Sequence, residues 1–488
     1  MAERKCVNTF LAIVLFVLLK NCSLLSMSNE FSDIGTGISP VFYVQNLPNL
    51  QQTEVNPEIV VITERHQQDH QHNEKAEDVS DLLRQYLLQF EPALHQGRSN
   101  LVSAIIERYI VREISLNELS ADSTIFPYIM SLRVTAGDDQ AITQEHIERV
   151  GQRFPGLREL DISSTNLQDT ELLRLAQLPL ATQLVALNIS NSKVTTAGIK
   201  VGMPAFKNLR RLNISSSGLM SGVLAVLAKL PYAPQLTRLN VSNLTTNPDE
   251  IKSCMGVFTS LTHLGITQSS IGNKGLEALA RQPFAANLTY LDIENNLINE
   301  IGIASYMQAF ERLTHLNLSK NELGDSGLEA LARQPFAPQL ITLELSDNTN
   351  MVSLQGVTAQ GIINNIRIFI ALRCLDVSLN AIGDAGLEGL AQQQLASQLM
   401  MLNIGSTGLT IAGIRANIGA FTDLRRLDVS DNSLGEEGLD ELAALPFARN
   451  LNVVALKIYG VETLKEAKER LELRSKRYEN KFRSLTLS

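Results

Sequence analysis

Histidine crowds in one place in this chain: His66, His70 and His72 surround Asp69 within a few residues. Such a cluster could hold a metal loosely. No second group of ligands completes a coordination sphere, so the run reads as a solvated linker and no metal site is assigned. The four cysteines offer less. Cys6 and Cys22 lie in or beside an N-terminal apolar run. Cys254 and Cys374 fall in different sequence repeats, too far apart for a bridge if the units stack side by side. With no disulfide framework, nothing supports an animal-type extracellular protein. There is no nucleophile with a paired base, no zinc motif and no phosphate-binding loop. No cofactor and no enzymatic activity are expected.

One grouping recurs with a period. Arg211, Arg238, His263, Tyr290 and His315 follow one another at intervals of 27, 25, 27 and 25, and Arg426 continues the series further on. Arg and Tyr are enriched at binding hot spots. Residues so spaced form one surface only if a repeated element lays them side by side, and the flanking sequence supplies one. In Leu313-Thr-His-Leu-Asn-Leu-Ser-Lys-Asn321, leucines stand at places 1, 4 and 6 and Asn at place 9. Strand alternation sends places 4 and 6 to a core and leaves places 2, 3 and 5 on the opposite face. His315 and its equivalents occupy place 3.

The same unit starts at Leu157, Leu184, Leu209, Leu236, Leu261, Leu288, Leu313, Leu340, Leu372, Leu399, Leu424 and Leu451, with a poorer copy at Ile129. Spacings of 27 and 25 alternate, so the true period is a 52-residue pair, broken by one 32-residue gap around 349–361. The longer type ends in Pro-Phe-Ala (Phe284, Phe336); the shorter carries Phe206, Phe258, Phe310, Phe369 or Phe421 three residues before the next leucine. These aromatics are expected in the core. Gly-x-x-Gly-Leu, as in Gly324 to Leu328, marks each longer helix start. Asn at place 9 (Asn296, Asn321, Asn348, Asn380, Asn432) is expected to bond turn backbone along the stack. Asp or Asn at place 5 with Ser two residues on reads as strand scaffold, although several copies spell N-x-S.

This array resembles leucine-rich repeats of the ribonuclease-inhibitor-like class, including those in secreted proteins of host-associated bacteria; the leucines at places 1, 4 and 6 and Asn at place 9 carry the resemblance, and the 25/27 alternation and few cysteines depart from it. It implies an α/β solenoid, a curved horseshoe with a parallel β-sheet on the concave face, helices on the convex face and helical caps at both ends. It also implies protein binding through the concave face. Arg211, Arg238, His263, Tyr290, His315 and Arg426 are then the expected protein-binding strip.

The remaining segments are bounded by composition. Residues 1–28 read as a signal peptide or membrane anchor, with basic Arg4 and Lys5 before the apolar run Phe10 to Leu19; a tether would run through residues 7–19. Residues 29–78 read as a low-order linker, 79–128 as a helical N-terminal cap, 129–458 as the array and 459–488 as a C-terminal capping helix. A net charge of −9 speaks against nucleic acid as a partner. The expected function is a non-enzymatic scaffold that binds a protein, extended to a secreted bacterial protein acting on a host target. The alternative is an adaptor or enzyme whose active part lies in 29–128, resembling a ubiquitin-ligase adaptor with the repeats recognising substrate.

Overall fold

In a computed structural model, the described residues run from 111 to 434, apart from 122–123, 127–128, 138–139, 218, 220, 245, 350–355 and 433, and continue with Gly438, Leu442 and 453–455. The apolar run, the histidine cluster and the C-terminal helix expected from the sequence lie outside them, as do residues 79–110 of the expected cap.

Fourteen strands form one sheet in sequence order. They are β1 Val111–Ser115, β2 Ser131–Thr135, β3 Glu159–Asp161, β4 Ala186–Asn188, β5 Arg211–Asn213, β6 Arg238–Asn240, β7 His263–Gly265, β8 Tyr290–Asp292, β9 His315–Asn317, β10 Thr342–Glu344, β11 Cys374–Asp376, β12 Met401–Asn403, β13 Arg426–Asp428 and β14 Val453–Ala455. Every pairing is parallel and in register, for example His263↔Tyr290 and Tyr290↔His315. Each crossover carries a helical segment, as parallel pairing requires. The sheet begins at Val111, inside the stretch expected to be a helical cap. There β1 pairs with β2, Val111↔Ser131 through Ser115↔Thr135, and is followed by the short helix Leu116–Ala121. The backbone of β2 would otherwise be an open edge, and one more parallel strand satisfies it.

Places 1, 4 and 6 of the repeats are buried, as Leu313, Leu316 and Leu318 show. They share one core with helix residues such as Leu276, Leu279, Leu328 and Leu331. Tyr232, Phe284 and Phe336 of the longer type and Phe206, Phe258, Phe310, Phe369 and Phe421 of the shorter are all fully buried. Phe154 is buried as well, stacked on Phe126 at 5.5 Å. Beside it the buried Arg153 donates to the carbonyls of Glu118 and Leu119 at 3.1 Å. That ties the end of Leu116–Ala121 to the array.

Each strand ends for a local reason. The place-5 oxygen accepts the N–H of the residue two later, as Asp161 does from Ser163 (2.9 Å) and Asp376 from Ser378 (2.9 Å). Place 8 then turns left-handed, with φ from 50° at Asp347 to 56° at Ser164. The place-9 asparagines follow. Asn321 Nδ2 donates to the carbonyls of Ile293 and Leu318 at 3.0 Å, while its Oδ1 accepts from the N–H groups of Asn296 and Ile298 at 3.0 Å. Asn380 and Asn432 repeat this arrangement.

A second ladder runs along the helix starts. Asp384 accepts the N–H and hydroxyl of Thr410 in the next repeat at 2.8 and 2.6 Å, and Asp169 and Asp325 do the same for Thr195 and Thr358. The acidic residue at the start of the longer unit's helix therefore lashes that unit to the shorter one. Each carboxylate occupies the space a side chain would need at Gly198, Gly361 or Gly413, within 2.0–2.1 Å of an added Cβ. Asn273 and Asn299 make the amide version of this contact above Gly302. The 52-residue period thus has a structural meaning. The 32-residue unit keeps the same lash: its helix is Ala359–Asn365, so the last residues of the 349–361 stretch, Gly361 among them, are helical.

Candidate functional site

Place 3 is the first residue of each short strand, so register sets these side chains in one row on the sheet face opposite the helices. The row reads Arg211, Arg238, His263, Tyr290, His315, Thr342, Cys374, Met401 and Arg426 on consecutive strands. The structure brings His263, Tyr290 and His315 into contact. The rings of His263 and Tyr290 stack at 5.7 Å with 15° between planes, and Tyr290 and His315 lie at 6.2 Å and 33°. Tyr290 keeps 37% of its surface exposed. Arg426 is not part of this cluster; four strand steps, about 19 Å, separate it from His315.

Arg211 is tied down. Its Nη2 meets Glu159 Oε1 at 2.7 Å, across β4, where the short side chain of Ala186 lies beneath the pair. Arg238 stands beside His263 and contributes to holding that imidazole neutral.

Place 2 fixes the imidazoles. Thr237, Thr262, Thr289 and Thr314 form a hydroxyl ladder, each donating to the carbonyl of the preceding place-2 residue at 3.1–3.2 Å. The Oγ1 of Thr262 also meets His263 Nδ1 at 2.9 Å, and Thr314 Oγ1 meets His315 Nδ1 at 2.9 Å. Each of these two hydroxyls is thus shared between a backbone carbonyl and an imidazole Nδ1, and the contact sets the orientation of the ring. Burial first, then Arg238 and His315, pull the His263 pKa down to about 4; burial also lowers that of His315.

Place 5 supplies the acids. Burial pushes Asp292 up to about 6, offset by hydrogen bonds from the Glu294 N–H and Asn317. Glu344 also rises to about 6, from burial and then from Asp376, Asp292 and Glu294. Burial, with Asp292 and Glu344, raises the Tyr290 phenol to about 12. Glu294 itself is paired with Lys320 at 2.7 Å. The sequence reading treated place 5 as strand scaffold; around β8–β11 it also makes the surface acidic. Glu159, Asp292, Glu344 and the threonine column stand at places expected on this face but were given no part in the site. The run of Thr at place 2 beside His at place 3 was the available signal.

Among the described residues no group of His, Cys, Asp and Glu could hold a metal ion. No helix there is long and apolar enough to cross a membrane. Cys254 and Cys374 are unpaired thiols.

A family model described as "Leucine Rich repeat" matches residues 259–280, 313–332, 371–391 and 422–443. The chain is 30% identical over 219 residues to the ribonuclease inhibitor of Sus scrofa, covering 43% of this chain and 48% of that one. It is 26% identical over 345 residues to the ribonuclease inhibitor of Mus musculus, covering 65% and 74%. The match thus spans about half the length of the pig relative. Among solved structures, a chain of the complex of Rad7 and Elc1 in yeast superposes with a TM-score of 0.50 at 17% identity, covering 84% of this chain and 96% of that one. That likeness concerns the fold. With one parallel sheet built from leucine-spaced repeats, the chain is a leucine-rich repeat solenoid, similar to the ribonuclease inhibitors.

Proposed function

We propose that this chain is a non-enzymatic scaffold that binds a protein partner through the open face of its sheet, by the strip Arg211, Arg238, His263, Tyr290, His315 and Arg426. The observation that carries the reading is the place-3 row: its side chains share one register, differ from repeat to repeat, and include a half-exposed aromatic cluster where the ladders are uniform and closed. Matches to two ribonuclease inhibitors, whose name denotes a protein ligand, support a protein as partner. The test is affinity capture with the purified full chain beside an Arg211→Ala, Arg238→Ala, Tyr290→Ala variant. Capture should be lost with the circular dichroism spectrum unchanged; retained capture removes the strip from the reading.

The proposal extends to a secreted or membrane-anchored bacterial protein acting on a host target, on the ground of the basic and apolar N-terminus. N-terminal sequencing of the mature protein, with protease protection in cells, checks the placement. The competing adaptor reading puts the active part in residues 29–128. It draws on the fold likeness to the chain from the Rad7 and Elc1 complex. A chain shortened to 79–488 that still captures the same partners would oppose it.

A further inference from the structure

The open face changes sign at Tyr290. On β5 and β6 the place-3 residues are Arg211 and Arg238 and the place-5 residues are the neutral Asn213 and Asn240. From β8 to β11 place 5 brings Asp292, Asn317, Glu344 and Asp376, and place 3 brings Tyr290, His315, Thr342 and Cys374. Among the described residues, no basic side chain stands in an ion pair with Asp292 or Glu344. These two carboxylates flank Asn317, two strand steps apart, about 10 Å at the backbone.

The polar atoms of this patch are mostly acceptors. The hydroxyls of Thr262 and Thr314 orient the two imidazoles on either side of Tyr290, and a neutral imidazole carries one acceptor nitrogen. The carboxylates of Asp292 and Glu344 add only acceptors. A surface of acceptors that includes carboxylates fits a cationic group that has donors alone, and the permanently charged side chains of that kind are arginine and lysine. Arginine fits better, because its planar fork can reach a carboxylate and a second acceptor together and its stem packs on rings. Arg238 beyond His263 repels such a cation, which places it on the β8–β10 side.

Resting on the scaffold reading above, we propose that the patch over β8–β11 receives an arginine side chain of an extended segment in the partner protein, held by Asp292 and Glu344 with its stem against His263, Tyr290 and His315. The arginine is the anchor of recognition.

The probe is a set of fluorescein-labelled nonapeptide pools, capped at both ends. The central residue is fixed as Arg, Lys, Gln or Glu, and the rest are drawn from Gly, Ala and Ser. Fluorescence polarisation with the full chain at low salt should rank Arg above Lys, Gln and Glu, with Arg at least tenfold tighter than Gln. Asp292→Asn with Glu344→Gln should remove that preference. Equal binding of all pools, no binding, or a preference that survives the double carboxylate variant would overturn the proposal. The same variants separate it from the broader reading. If a captured protein is lost on Arg211→Ala, Arg238→Ala, Tyr290→Ala but held by the carboxylate variant, the scaffold stands and the arginine anchor falls. If neither set changes capture, the scaffold reading falls too.

Discussion

Place 9 and place 3 of the same repeats are built to opposite rules. At place 9, the buried Asn321 satisfies backbone groups of its own turn and of the preceding repeat, with both amide ends engaged. At place 3, Tyr290 and its flanking histidines touch each other, and burial raises the neighbouring acids Asp292 and Glu344 to about 6. The first column turns side-chain polarity inward and spends it on stability. The second leaves polarity available to something outside the chain. Substitutions at the two columns should therefore separate stability from recognition.

The largest effect is expected at the ladder. Asn321→Ala strands two buried N–H groups and removes donors from two carbonyls, a loss of about 3 kcal/mol or more, read by chemical denaturation of the full chain. Capture by place 3 should be lost only together with folding. Next comes Gly413→Ala, where the new Cβ would meet Asp384 at 2.0 Å. The lash to Thr410 must open, at about 2 kcal/mol, and in an array that loss should centre on neighbouring repeats. Hydrogen exchange of the Ile411–Asn417 helix would show it; unchanged protection there would contradict the lash.

The acids and the histidine of the open face should have opposite pH signatures. Asp292 and Glu344 have folded pKa values raised to about 6. Their contribution to stability is fully present below the unfolded carboxylate range and is lost as pH rises through about 6. His263 is lowered to about 4. Its contribution is present above 6.5 and is lost as pH falls toward 4. Between pH 7 and 5, Asp292→Asn with Glu344→Gln should therefore make stability fall more on acidification, and His263→Gln should make it fall less. Each effect should stay below about 1 kcal/mol on this partly exposed face. Urea midpoints at pH 7, 6 and 5 decide it; shifts of the same sign would contradict the assignment. The smallest effect is a gain. Leu379 is 50% exposed at φ 55°, where a leucine is strained. Leu379→Asn should add about 0.5–1 kcal/mol.

The scaffold was legible because repetition is itself a structural statement. Leucines at places 1, 4 and 6 set strand and core, and the asparagines of place 9 announced their ladder. The aromatic plugs at Phe258, Phe284 and Phe310 were readable from their place before the next strand. The strand at Val111–Ser115 was not, because a single five-residue strand outside the leucine pattern has no period to reveal it. The lash was missed for another reason: Asp384 and Thr410 belong to different repeats, and Gly413 gave no sign that its missing side chain was the space Asp384 needed.

The sequence by itself determined the solenoid, the 52-residue pairing and the row in which Arg211, Arg238, His263, Tyr290, His315 and Arg426 stand, since these follow from period and alternation. Only the tertiary structure decided how the members of that row differ. It tied Arg211 to Glu159, set Arg426 apart, oriented both imidazoles through Thr262 and Thr314, and, among the described residues, gave Asp292 and Glu344 no ion pair with a basic side chain. Those outcomes depend on distances between side chains of different repeats and on the water they lose together, and no single repeat contains that information.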